Sequence, residues 1–201
     1  MQQYFVDEEK KLLRKKILKL RDSIPPGDRI EYSTKIAECI FCESKYVRAN
    51  NVLIYNHFGS EVRCDYIFSK SLKDGKNVFF PKVEGEYMTF YKITSAEQLE
   101  AGYKGILEPF GNTGRFEQIG KSIIIVPGTV FGQDGYRIGY GKGYYDKFLA
   151  SVPDIYKIGV CFSVQLVDKV PRDQYDVQMD EIICENRILS KDGKGEARWM
   201  I

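Results

Sequence analysis

The stretch Ser122-Ile123-Ile124-Ile125-Val126 runs directly into Pro127-Gly128-Thr129-Val130-Phe131-Gly132-Gln133-Asp134-Gly135-Tyr136-Arg137-Ile138-Gly139-Tyr140-Gly141-Lys142-Gly143-Tyr144-Tyr145-Asp146, and it decides how the chain is read. Three consecutive isoleucines can hardly face water, so 122–126 is expected to be a strand buried on both faces, as in a parallel sheet covered by helices on each side. The glycine-rich loop leads into a helical segment, Tyr144 to Ala150, and Lys157-Ile158-Gly159-Val160-Cys161 returns as a strand.

Working outward, Leu13, Ile17, Leu20 and Ile24 recur at helical spacing between Glu8 and Ile24, with Lys10, Arg14 and Arg21 on a neighbouring face. Pro25-Pro26-Gly27 stops that helix. A second helix is expected from about Arg29 to Val47, with Ile36, Ala37, Ile40 and Val47 as its apolar side. Val52-Leu53-Ile54-Tyr55 then reads as a buried strand, Tyr66, Ile67 and Leu72 as a short helix, and Asp74-Gly75 as a turn. Val78-Phe79-Phe80 reads as a second buried strand ending at Pro81, which completes a βαβ unit. Tyr87 to Ile93 reads as an extended excursion, Glu181 to Cys184 as a last short strand, and the residues from about 186 onward as a polar tail.

No internal repeat and no long linker interrupts this order. It predicts a single α/β domain over residues 1–201, with three α/β/α layers around a mainly parallel sheet. In such sheets ligands bind beyond the carboxyl ends of the strands, so the loops after Tyr55, Phe80 and Val126 are where chemistry is expected.

Composition excludes several function classes. The chain has 201 residues, 30 Lys+Arg against 28 Asp+Glu, and 43% apolar residues, enough to bury a core and too evenly charged to imply nucleic-acid binding. The N-terminus has no apolar targeting core, and nowhere do eighteen apolar residues run together, so neither export nor membrane spanning is expected. The five cysteines, Cys39, Cys42, Cys64, Cys161 and Cys184, are odd in number and scattered, which suits reduced thiols in a cytoplasmic protein. Cys39 and Cys42 form a CxxC with no second pair and no nearby histidine, so they read as two small helix residues rather than a zinc site.

The glycine segment fits neither the G-x-x-x-x-G-K-[ST] phosphate loop nor the G-x-G-x-x-G dinucleotide pattern, since Tyr144 stands where a third glycine would be. Gly139, Gly141 and Gly143 nonetheless alternate directly before a helix, so backbone N–H groups can turn toward an anion. Arg137 and Lys142 add charge, and the helix start adds its dipole. A phosphate site is the reading this favours over a plain glycine turn.

Tyr140, Tyr144 and Tyr145 offer flat faces for a ring system, or equally core packing. Asp146 suits either the helix dipole or a magnesium ion beside phosphates. Glu61, in a loop after a buried strand, can accept from the N–H groups of a heterocycle or be an ordinary solvated acid. Lys10 and Arg14, one turn apart, can grip phosphates together or form a solvated face. His57 is the sole histidine and no serine or cysteine stands in a nucleophile elbow, which removes most support for covalent hydrolase chemistry.

With these residues set out, the chain resembles the 5-formyltetrahydrofolate cyclo-ligases (methenyltetrahydrofolate synthetases) from about Lys10 to Glu185. The matching pieces are Lys10-x-x-Leu13-Arg14, Ser60-Glu61-Val62, Gly75-Lys76-x-Val78-x-x-Pro81, Met88-x-Phe90, Leu107-Glu108-Pro109 and Arg137-x-Gly139-x-Gly141-x-Gly143-Tyr144-Tyr145-Asp146. The resemblance implies ATP- and Mg²⁺-dependent cyclisation of 5-formyltetrahydrofolate to 5,10-methenyltetrahydrofolate, by a monomer acting on small molecules.

It also implies site residues. Lys10, Arg14, Arg137 and the run Ile138, Gly139, Tyr140, Gly141, Lys142, Gly143, Tyr144 and Tyr145 would meet ATP. Asn56, Glu61, Tyr140 and Tyr144 would meet the folate, Arg137 and Tyr144 would serve catalysis, and Asp146 would hold the metal, with a weaker second contact from the Asp176 to Asp180 region. The rivals are a non-catalytic folate or nucleotide binder of the same fold, and a sugar-phosphate isomerase or acyl-CoA-type transferase on a similar scaffold, which would need no ATP.

Overall fold

The side chains of the 122–126 strand alternate between two separate cores. Ile123 and Ile125 pack with one set of helices, Ile124 and Val126 with another set of elements on the opposite face. In the computed structural model, which describes residues 2–102, 105–111, 113–118, 120–191 and 198–199, this strand is the middle of an eight-stranded sheet.

The chain begins with helices α1 (Gln2–Asp22), α2 (Pro26–Cys42) and α3 (Ser44–Arg48), then β1 (Asn51–Leu53), α4 (Asp65–Lys73), β2 (Asn77–Glu84) and β3 (Tyr87–Ile93). Short strands β4 (Leu99–Ala101) and β5 (Leu107–Pro109) pair with each other, before β6 (Ser122–Val126). Then come β7 (Val130–Gly132), β8 (Arg137–Ile138), α5 (Tyr144–Ser151), β9 (Tyr156–Val160), β10 (Leu166–Val167), β11 (Glu181–Cys184), β12 (Arg187–Ser190) and β13 (Arg198–Trp199).

The parallel strands lie in the order β2-β1-β6-β9-β11, with β3 added antiparallel at one edge and β12 and β13 at the other. In chain order this is a 2-1-3-4-5 doubly wound sheet, whose order reverses between β1 and β6. One face carries α2, α3 and α4 through Ile36, Ala37, Ile40, Tyr46 and Ile67. The other carries α5 through Leu149, together with a small sheet of β10, β7 and β8 docked by the buried Phe131. The α/β/α layering expected from the sequence is therefore present.

Helix α1 packs on the small sheet, where Ile17 and Leu13 meet Val130, Ile138 and Val170. Its last turn carries Lys19 and Arg21, cations at the negative end of the dipole. Pro25 and Pro26 then restart the chain as α2, Pro26 lacking the N–H that a first helical turn leaves unpaired in any case.

Four expectations are corrected or sharpened. The helix read from Arg29 to Val47 breaks at Glu43, whose extended backbone (φ −68°, ψ 130°) separates α2 from α3 so that Tyr46 turns into the core while Val47 faces water. The strand at 78–80 does not end at Pro81 but runs to Glu84. Pro81 lies beyond the part of β2 that pairs with β1, so its missing N–H costs no bond of the parallel ladder. The excursion at 87–93 is β3, the antiparallel partner of β2 across a turn at Gly85. The tail from about 186 includes β12, paired along its length with β11, and β13; residues 192–197, 200 and 201 of that tail lie outside the described residues.

Candidate active site at the sheet reversal

The loops that follow β1 and β6 leave the sheet side by side, because these two strands are neighbours although 71 positions separate their paired residues Asn51 and Ser122. The reversal in strand order opens a crevice there. α1 closes it from the side, since its seat on β7 and β8 aims Arg14 and Arg21 at the glycine loop.

Arg137 leaves β8 with only 3% of its surface exposed. Its guanidinium pairs with Asp146 (Nη2 to Oδ1, 3.3 Å) and lies 5.7 Å from the centre of the Tyr145 ring. Nη1 donates to Asp146 Oδ2 at 3.5 Å, whereas Nε is buried with no partner and Nη2, ion-paired with Asp146, makes no hydrogen bond. A desolvated cation with unused donors is costly unless something completes it, and an anion does so. Gly141 and Gly143 have φ of 95° and 68°, which a residue with a Cβ rarely adopts. Arg14 fixes the bend from the other side, its Nε donating to the Gly139 carbonyl at 2.8 Å, and its guanidinium lies in van der Waals reach of Gly141. Gly143 is the N-cap of α5 and offers no side-chain cap, so the first N–H groups of that helix point outward.

Across the crevice, a tight turn at Phe58-Gly59-Ser60 buries Glu61, 6% exposed, whose Oε2 accepts from the Phe58 N–H at 2.9 Å. Burial raises its pKa above the ordinary carboxylate value, opposed by the Phe58 N–H, the Arg21 charge and a hydrogen bond from the Tyr140 hydroxyl. Arg21 is 3% exposed; its Nε donates to Ser60 Oγ at 2.9 Å and its Nη2 to the Tyr140 hydroxyl at 3.0 Å. Tyr140 thus links the two loops. Burial also pushes the Tyr145 hydroxyl well above its usual pKa, with Glu61 and Cys64 adding to the effect, so it stays protonated beside Glu61 and Arg137.

Against this geometry the chain matches, over residues 6–185, the model of the 5-formyltetrahydrofolate cyclo-ligase family. The chain belongs to that family. It is 29% identical to a probable 5-formyltetrahydrofolate cyclo-ligase of Schizosaccharomyces pombe, covering 89% of this chain and 94% of the relative. The mouse 5-formyltetrahydrofolate cyclo-ligase is 26% identical over 90% of this chain and 96% of its own. The solved structure of Aquifex aeolicus 5,10-methenyltetrahydrofolate synthetase superimposes with a TM-score of 0.82 at 32% identity, covering 96% of each chain.

Within this cyclo-ligase fold, the residues singled out from the sequence divide. Arg14, Arg137, Ile138, Gly139, Tyr140, Gly141, Gly143, Tyr145, Asp146 and Glu61 lie together where the loops after β1 and β6 meet, joined by the contacts of Arg14 with Gly139, Arg137 with Asp146 and Tyr145, and Tyr140 with Glu61. Ile138 itself points into the core against Ile17 and contributes only backbone. Lys142 is exposed. Lys10 is half a step away, its Nζ held by Asp173 at 2.9 Å and Asp176 at 2.6 Å. Asn56 donates to the Leu107 carbonyl and so ties the loop after β1 to β5. The Tyr144 hydroxyl donates to the Gly85 carbonyl at the β2–β3 turn.

Arg21 also belongs to this group, although by sequence alone it reads only as part of a basic helix face. Its spacing is the missed signal, since two helical turns after Arg14 it returns to the same side of α1. A separate groove of about 750 Å³ at the other end of the sheet, beside Lys45, Arg48 and Tyr156, is open to water and buries no unpartnered polar side chain. No described helix is long and apolar enough to cross a membrane.

Proposed function

We propose that this chain catalyses ATP- and Mg²⁺-dependent closure of 5-formyltetrahydrofolate to 5,10-methenyltetrahydrofolate, with release of ADP and phosphate. The observation that carries the reading is the buried Arg137, ion-paired with Asp146 but with its hydrogen bonding incomplete at Nε and Nη2, behind a glycine bend that faces a buried carboxylate across the sheet reversal.

Ring closure must expel the formyl oxygen, a very poor leaving group until phosphorylated. The formyl oxygen bonds to the γ-phosphorus as the bond to the β–γ bridging oxygen breaks and ADP departs. N10 then adds to the activated carbon and loses its proton, and the C–O bond breaks as phosphate leaves. The protein's task is positioning and charge stabilisation. Arg137, preorganised by Asp146 and the Tyr145 ring, serves the charge on the transferring phosphoryl group. The N–H groups from Gly139 to Gly143 and the start of α5 cradle the phosphates, with Arg14 holding the bend. Lys10 joins them by exchanging Asp173 and Asp176 for phosphate oxygens. Glu61 accepts from the N–H groups of the pterin, beside Asn56, Tyr140 and Tyr144.

Among the described residues no group of three metal-ligating side chains occurs. Magnesium carried by a nucleotide needs only one or two carboxylates, its remaining ligands being phosphate oxygens and water. Asp146, next to the bend and anchored by Arg137 and the Val177 N–H, suits that share. When bound there, the ion would neutralise phosphate charge and align the β- and γ-phosphates.

The test is to mix protein, ATP, Mg²⁺ and 5-formyltetrahydrofolate and follow methenyl absorbance. Product formed only when ATP is present supports the reading. Binding of both substrates without turnover would instead make the chain a non-catalytic binder, and turnover without ATP would refute the phosphorylation step.

A further inference from the structure

Arg21 is a buried guanidinium whose bonding is incomplete, and its neighbours cannot complete it. A guanidinium has five N–H donors. Nε is taken by Ser60 and Nη2 by Tyr140, while Nη1 is buried with no hydrogen-bond partner. Ser60 has already given its proton to Asp22, and the Tyr140 hydroxyl gives its own to Glu61. These bonds fix the orientation of the guanidinium and leave Nη1 as a preset donor. Arg21 Nη2 and Glu61 both bond to the one Tyr140 hydroxyl, so these two stand no more than two hydrogen bonds apart, about 6 Å, and Nη1 belongs to the same planar guanidinium.

That pair has a chemical complement. The pyrimidine edge of a 2-amino-4-oxo pteridine presents two donors, the 2-amino group and N3–H, followed by one acceptor, the C4 carbonyl oxygen. A carboxylate serves the two donors, and a neighbouring guanidinium serves the acceptor. We propose that Arg21 is a specificity-determining residue of the pterin pocket: its Nη1 donates to the C4 carbonyl oxygen and selects a 4-oxo ring against a 4-amino ring. The inference rests on the folate reading above and adds a residue and a selectivity to it. A 4-amino ring would set an N–H donor against an N–H donor, leaving a buried cation unpaired.

The experiment compares dissociation constants for 5-formyltetrahydrofolate and its 4-amino-4-deoxy counterpart, in the unmodified protein and in Arg21→Met, with Arg21→Lys as a second variant if the first does not fold. The unmodified protein should prefer the 4-oxo compound by more than about tenfold, since Arg21 and Glu61 each contribute discrimination on the scale of one charge-assisted hydrogen bond. Arg21→Met should lose about tenfold of that preference, retaining the part that Glu61 reads at N3. A purely structural Arg21 would weaken both compounds alike and leave the ratio unchanged, which would overturn the proposal. Equal affinity of the unmodified protein for the two compounds would overturn it without any variant. An unmodified protein that binds neither would sink the folate reading itself, a result distinct from either of these.

Discussion

Replacing Glu61 with Gln should move stability and substrate affinity in opposite directions. The side chain is 6% exposed, and burial raises its pKa above the usual carboxylate value despite the Phe58 N–H, Arg21 and Tyr140. For a group whose folded pKa is raised, the fold favours the protonated form, so its contribution to stability is full below the ordinary carboxylate value and is lost as pH rises through the folded pKa. Above that folded pKa the substrate-free protein therefore carries a charge its surroundings oppose. Gln keeps an oxygen for the Phe58 N–H and removes the charge, so Glu61→Gln should stabilise the substrate-free protein by about 1 kcal/mol, a shift of ~2–4 °C in Tm for a chain of this size. The difference should shrink on acidification, because protonated Glu61 resembles Gln. Folate binding should respond the other way, losing ~1.5–3 kcal/mol of charge-assisted bonding, or about 10- to 100-fold in Kd. Thermal unfolding from pH 5 to 8 and equilibrium titration with 5-formyltetrahydrofolate measure the two halves. A variant with unchanged folate affinity would remove Glu61 from the pocket, and one destabilised at pH 8 but not at pH 5 would contradict the sign of its pKa shift.

Three further substitutions probe the rest of the crevice. Arg137→Ala should lower kcat by about 10²–10³, the usual loss for a preorganised donor aimed at transition-state charge, and near-normal turnover would refute that role. Asp146→Ala should raise the Mg²⁺ concentration needed for half-maximal rate, and an unaltered titration would return Asp146 to its visible bonds with Arg137 and the Val177 N–H. Lys10→Met should cost about 3 kcal/mol of stability by leaving Asp173 and Asp176 facing each other, and should weaken ATP binding. Burial opposes the Lys10 charge, but the bonds to Asp176 and Asp173 outweigh it and raise its pKa. Its contribution should thus persist through neutral pH and disappear only as pH rises past the ordinary lysine value of 10.5. Alkaline denaturation of the unmodified chain and of Lys10→Met tests this.

How much of this was legible beforehand follows from the range of the forces involved. The buried strand at 122–126 was readable because three isoleucines leave no water-facing side, and the glycine bend because alternating glycines before a helix admit few other conformations. The break at Glu43 was not, since local periodicity continues through it while the core claims Tyr46 and leaves Val47 outside. The continuation of β2 through Pro81 depends on a change of partner, from β1 to β3, that no local pattern announces.

Arg21 is the sharpest case. Its residue type and its side of α1 could be read from spacing, but its bonds reach Ser60 and Tyr140, 39 and 119 positions away. What brings those two together is strand order: β1 and β6 are adjacent, so the loop bearing Ser60 and Glu61 and the loop bearing Tyr140 emerge at one crevice. The order of strands is a property of the whole sheet. It follows that in a doubly wound protein the acids and cations flanking the first and third parallel strands should be read as one candidate set, however far apart they lie in the chain. On that rule any buried helix cation that reaches both loops belongs to the set, and Arg21 is the residue here that meets the condition.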